Sequence, residues 1–348
     1  MKTYFLTLFI VSVLLIAHNS KRISGKIKGY LYFLIVCILL AVAGLRYYVG
    51  TDYGQYVVNY KMYQLQELSI LRQPAMAIIA RISALIYNDY ATWFFIMSAI
   101  TVVPVMIMIY KESSCVWLSV LMYIFLCCWH FPFNIVKQGA AATIIFAGYP
   151  LLRDRKFWKW VLICLLASTF HVSAILMLPV YFLVIPHITK RQTILILIVG
   201  AIVLLSYDYL FDMIDVLKQG EGVLSEQSNL RVDGVNFLRI AVHFVPMLLF
   251  LVFRKYYKKD ENFSSLFNMS LLNTVLNIGS MNSIYLNRFC NYTIIFNVLF
   301  IPLLFQPIKK KRATFWILPV ALMLYCAFWA YDLYKGSRTV NYYWIFER

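Results

Sequence analysis

Long apolar runs, each closed by a short polar or basic stretch, recur along the whole chain. A straight transmembrane helix needs about 20 apolar residues. At that length the runs predict spans at about 3–18, 29–46, 91–110, 115–130, 135–150, 157–170, 171–186, 193–210, 235–253, 264–280, 285–306 and 314–333. The expected fold is therefore all-α and polytopic, with about 12 transmembrane helices forming one integral membrane domain over residues 1–348. Two stretches break the pattern. Residues 74–88 are short for a span and carry Arg81 midway, so they predict an interfacial or re-entrant helix. Residues 157–186 are too long for one span: as a single helix they would measure about 45 Å, against about 30 Å of hydrocarbon. Both flanks of that run are basic, which places both on one side. Two half-length helices meeting near Ser168-Thr169-Phe170-His171 satisfy both facts. A break of that kind is tolerated only where protein buries it or a watery cavity meets it. His171 is therefore expected at the floor of an outward-open cavity.

Two connecting segments are long. Residues 47–90 hold Gly50-Thr51-Asp52-Tyr53-Gly54 and many tyrosines, and are expected outside with interfacial helices. Residues 211–234 are polar and contain Gly220, Gly222, Gly234 and Arg231, a composition that suits a lid over a cavity. No internal repeat is visible.

Composition agrees with the membrane assignment. The chain is 62% hydrophobic and only 14% charged, with a mean hydropathy of +0.73, whereas soluble domains carry roughly 25% charged residues. The net charge of +17 would suit nucleic acid or anionic lipid equally, and its placement decides. With the N-terminus outside, the inside loops hold 19 of the 32 Lys and Arg residues, clustered at 21–28, 111, 153–159, 190–191, 254–259 and 309–312. That asymmetry is the positive-inside signal, and it removes the case for nucleic acid. The seven cysteines are scattered in apolar runs and fit neither a disulfide framework nor a metal spacing. No cleavable leader is expected, because the second apolar run follows the first directly.

The candidate chemistry lies in the few polar residues set within or beside the spans. A charge at the bilayer centre costs at least about 2.5–3.5 kcal/mol, so such residues are functional hypotheses. Arg46, Asp52, Lys137, Gln138, His171, Arg239 and Arg288 all fall on the outer side in this topology. Arg46 is either a snorkelling cation or an anion ligand beside Asp52. Lys137 and Gln138 open a span, where the positive helix end favours an anion. His171 is a base, an anion ligand or an interhelical hydrogen-bonding residue. Arg239, with His243 a turn below, and Arg288 start two different spans, and paired guanidinium forks suit pyrophosphate. Tyr53 and Tyr56 are sugar-stacking candidates or plain members of an aromatic belt. Walker, Rossmann, zincin and Gly-x-Ser-x-Gly patterns are absent, and no paired carboxylates suggest a metal–nucleotide site.

The elements Gly44-Leu-Arg46 to Val49-Gly-Thr-Asp-Tyr53, Asn134-Ile-Val-Lys-Gln138, Ala167-Ser-Thr-Phe-His171-Val-Ser-Ala and Asn287-Arg288 resemble, in this order, those of the EpsG family. These proteins are polymerases of bacterial exopolysaccharide, capsule and O-antigen, similar in role to Wzy polymerases. The chain departs at Lys137, where the family usually has Arg, and at Gln73, where it usually has an acid before the proline. The resemblance implies a GT-C-like glycosyltransferase of the inner (plasma) membrane with its active site facing the periplasm or exterior. Donor and acceptor would be oligosaccharides linked to undecaprenyl pyrophosphate, with membrane lipid around them and a chain-length regulator as a possible partner. In that reading Arg46, Arg239, Arg288 and Lys137 bind pyrophosphate, His171 or Asp52 activates the acceptor hydroxyl, and Gln138, Tyr53, Tyr56 and Arg231 hold substrate. The leaving group is good, so neither metal nor cofactor is called for. The rival is a flippase or transporter of lipid-linked oligosaccharide, which broken helices and midplane charges also suit. An acyltransferase using His171 is a weaker third, since His171 has no acidic partner in its own loop.

Overall fold

The computed structural model describes residues 1–69, 72–205, 237–282, 284–308, 315–335 and 340–348. The 211–234 segment and Arg231 lie outside the described residues. Among the described residues the fold is all-α apart from one two-residue antiparallel contact. In chain order the helices are α1 (Lys2–Asn19), α2 (Gly25–Gly44), α3 (Tyr53–Leu65), α4 (Pro74–Ile86), α5 (Tyr90–Glu112), α6 (Val116–Phe125), α7 (Phe131–Asn134), α8 (Val136–Ala147) and α9 (Tyr149–Arg153). They continue with α10 (Phe157–Ser168), α11 (Val180–Leu183), α12 (Lys190–Leu205), α13 (Phe237–Phe253), α14 (Glu261–Gly279), α15 (Ile284–Ile294), α16 (Asn297–Ile308) and α17 (Ile317–Lys335). Strands β1 (Arg46–Tyr47) and β2 (Tyr343–Trp344) pair and bring the C-terminal residues back to the end of α2.

Among the described residues, five helices are long and apolar enough to cross a membrane: α1, α2, α5, α13 with its 3-10 extension to Tyr256, and α17. A sixth crossing arises if α15 and α16, bent by 55° between Ile294 and Asn297, act together. The remaining apolar runs are divided more finely than the hydropathy suggests, for local reasons. The run at 115–130 stops being helical at Phe125 because Cys127 turns left-handed, with φ 59°. Pro132 then starts the four-residue α7. The run at 264–280 is a full helix, α14, but Ser264, Ser265, Asn268, Ser270, Asn273 and Asn277 lie along it. All six are buried in protein, where lipid does not see them.

The two irregular stretches agree with expectation in form. Residues 74–88 hold a 13-residue helix, α4, about 20 Å long by its rise and so short of the hydrocarbon thickness. It packs against α3 as a helical hairpin and also against the long helix α5. The 157–186 run breaks after Ser168 and doubles back as a 3-10 turn, Val172–Met177, and then α11. The return is antiparallel: Trp160 Nε1 donates to the Met177 carbonyl at 3.2 Å, and the Arg155 guanidinium to the carbonyls of Tyr181 and Val184.

Contacts between distant residues sort the connections into two ends. One end gathers Glu112 with Arg153, Arg155 with Val184, and Tyr149 with Asn262, its hydroxyl 2.6 Å from Asn262 Oδ1. The other gathers Thr51 with Asn134, Asp89 with Arg348, β1 with β2, and the hairpin apex, where Ala75 N donates to the Thr169 carbonyl at 3.2 Å. The basic connections at 111 and 153–159 share the first end, and the 47–90 segment shares the second.

Candidate active site

The second end carries a cavity of about 290 Å³. Its polar lining includes Asp52, Asn134, Arg239, His243, Arg288 and Asp332. They come from five separate pieces of chain, with Arg239 and His243 sharing α13. Asp52 follows the tight turn after α2. That turn needs Gly50: its φ is +102°, and a Cβ there would lie 2.5 Å from the Phe133 carbonyl oxygen. The turn is tied down by Thr51 N, which donates to Asn134 Oδ1 at 2.8 Å, and Thr51 Oγ1 lies 3.2 Å from Asp52 Oδ1. Arg239 and His243 occupy successive turns of α13, and Asp332 reaches Arg239 from α17 with Arg239 Nη2 donating to Asp332 Oδ1. Cys127, in its left-handed conformation, lines the same cavity as this pair. Strained backbone of this kind recurs at functional sites. Arg288 is exposed on α15, with Asn287 and Asn291 beside it on the cavity wall.

Three of the expected site residues, Asp52, Arg239 and Arg288, therefore converge. Gln138 supports them from behind: it is buried, and its Nε2 donates to the Arg288 carbonyl at 2.7 Å. The others stand elsewhere. Arg46 is only 2% exposed and does not line the cavity. Its guanidinium donates to the Ala43 carbonyl and to Ser98 Oγ, and lies 4.7 Å from the centre of the Phe133 ring and 5.1 Å from that of Phe94. The reason is rotational: Arg46 turns inward between α2 and α5, so the snorkelling and pyrophosphate readings both give way to a packed cation. Tyr53 is fully buried, stacked on Phe94 at 4.2 Å with 5° between the rings, and Tyr56 is buried beside Trp93. Burial raises both phenols above their ordinary pKa, so they stay neutral. Their ring faces are taken up by protein. Lys137 lines a second cavity.

His171 is half-buried at the hairpin break and is absent from the lining of the main cavity. It is nevertheless linked to it. His171 Nδ1 is 2.6 Å from Ser173 Oγ, and Ser173 Oγ is 2.9 Å from the Tyr292 hydroxyl. Tyr292 sits one turn beyond Arg288 on α15, so this relay ends on the helix that presents the arginine.

Asp332 is the residue the sequence reading passed over. Its signal was present, since it is a lone carboxylate in the apolar run 314–333 and so as costly as the cations that were noted. Among the described residues, no three His, Cys, Asp or Glu side chains are grouped to hold a metal ion.

The fold and cavity define a polytopic α-helical membrane protein with a charged, amide-rich pocket at one end of its helices. The chain belongs to the EpsG family, whose sequence model matches residues 29–345. No curated protein and no solved structure matches it.

Proposed function

We propose that the protein is a bacterial polysaccharide polymerase, a glycosyltransferase that joins glycan repeat units carried on undecaprenyl pyrophosphate. The observation that carries this reading is the convergence of Arg239, Arg288 and Asp52, from three separate elements, on one cavity in an EpsG-family chain. Guanidinium groups present parallel donors to phosphate oxygens. Arg288 and Arg239 stabilise the charge that gathers on the diphosphate as it leaves, which is electrostatic catalysis. The acceptor hydroxyl oxygen attacks the anomeric carbon, the bond from that carbon to the phosphate oxygen breaks with its electron pair going to the diphosphate, and the hydroxyl proton passes to the Asp52 carboxylate. His171 acts through Ser173 and Tyr292 on the helix bearing Arg288.

The same reading puts the cavity outside the inner membrane, since the basic connections at the opposite end belong inside. It pairs the short apolar helices into further crossings, towards the twelve that hydropathy suggests and a GT-C-like arrangement. The flippase reading is less favoured, because the cavity holds a carboxylate placed beside two arginines and the chain shows no internal repeat. Deleting the gene and resolving the surface glycan on a gel separates them. Loss of the long-chain ladder with single repeats retained is expected. Loss of all surface glycan would point to the flippase.

A further inference from the structure

A second cavity, of about 530 Å³, opens at the same end of the molecule. Residues Asn134 and Ile135 line the first cavity and Lys137 lines the second, so the α7–α8 junction is a wall common to both. Around the second cavity stand Lys137 and Arg72 with Asn59, Tyr63, Gln66 and Gln73. Its chemistry differs from the first. Among the described residues two cations and no carboxylate line it, whereas Asp52 and Asp332 balance the arginines of the first. Its rim is built and not a loose surface fold: Arg81 Nη2 donates to the Gln66 carbonyl at 2.6 Å and Arg81 Nε to that of Gln64 at 3.0 Å. Lys137 Nζ lies 6.0 Å from the centre of the Tyr63 ring. Gln73 is held left-handed, with φ 55°, and its Oε1 is buried with no hydrogen-bond partner. An unsatisfied buried acceptor carries a cost that a ligand hydroxyl would relieve.

Joining two lipid-linked glycans needs two seats close enough for a hydroxyl of one to reach the anomeric carbon of the other. We propose that the second cavity seats the acceptor: Lys137 and Arg72 hold its phosphate charge, while Asn59, Tyr63, Gln66 and Gln73 hydrogen-bond its sugar hydroxyls. The inference rests on the polymerase reading for its purpose, but the site itself is tested without turnover. The acceptor's far sugar then reaches past Asn134 to Asp52, and the first cavity keeps the donor diphosphate.

Native mass spectrometry of the full-length protein in detergent, titrated with farnesyl diphosphate, counts the seats. Wild type should bind two molecules. Lys137→Ala with Arg72→Ala should bind one, at least tenfold weakening the other, and Arg288→Ala should also bind one. The charge-preserving pair Lys137→Arg with Arg72→Lys should again bind two, which guards against a folding defect in the alanine variant. Inorganic diphosphate should compete at both seats. A single bound molecule in wild type, two in the alanine pair, or phosphatidylglycerol displacing the second molecule as well as farnesyl diphosphate does, would each overturn the acceptor seat. Two molecules bound by a wild-type protein that restores no glycan ladder in the deletion strain would instead sink the polymerase reading and leave the site standing.

Discussion

Asp332 on α17 accepts a charged hydrogen bond from Arg239 on α13, across 93 residues of sequence, at the wall of the first cavity. Both side chains are partly exposed to it, at 30% for Arg239 and 23% for Asp332. The carboxylate both orients the guanidinium and offsets part of its charge, so Arg239 meets a ligand already aimed. Asp332→Asn keeps the shape and loses the charge. It should lower polymer length and cost roughly 1.5–3 kcal/mol in stability, the range for a hydrogen bond to a charged group. A double-mutant cycle with Arg239→Gln should give a coupling of at least about 0.5 kcal/mol. Additive effects in thermal unfolding would mean the two residues act independently.

Arg288 presents its fork from α15 with its own carbonyl fixed by Gln138. Arg288→Lys should be nearly as damaging as Arg288→Ala, because an ammonium cannot offer two parallel donors. Chain length on a glycan gel is the readout. Near-normal ladders from the lysine variant would reduce Arg288 to a charge anchor.

Asp52 and His171 separate by position. Asp52 lines the cavity and His171 does not. Asp52→Asn should therefore lose roughly 10²–10⁴-fold in transfer rate, as expected for a general base. His171→Gln should lose less than Asp52→Asn. Its effect should not add to that of Tyr292→Phe, since both cut one relay through Ser173. The reverse ranking, with His171→Gln the more severe and altering the pH profile, would return the base role to the histidine.

Arg46 should prove a folding residue. It is boxed between Phe94 and Phe133 and bonded to Ser98, away from either cavity. Arg46→Met should lower thermal stability in detergent by roughly 2 kcal/mol or more, the scale of a desolvated cation–π contact. Substrate KM in whatever folded protein remains should stay near wild type. A raised KM with unchanged stability would put Arg46 back at the substrate.

The sequence alone determined what one-dimensional chemistry can determine. Apolar run length marked the chain as an all-α membrane protein, and five helices, or six with the bent pair, are long and apolar enough to cross. The 157–186 doubling-back was legible for the same reason, since length and basic flanks leave no other arrangement. The short helix after Pro74 was legible too, from local backbone preference. Which polar residues meet was not. Helix rotation and long-range packing turn Arg46, Tyr53 and Tyr56 into the core, and bring Asp332 to Arg239 and Gln138 to Arg288, pairs separated by 93 and 150 residues. The splitting of spans at Cys127 and between Ile294 and Asn297 also escaped hydropathy, which averages over the single left-handed residue or bend that redirects a helix. Only the packed structure, where each helix has one face against its neighbours, decides which costly polar group points at a cavity and which at another side chain.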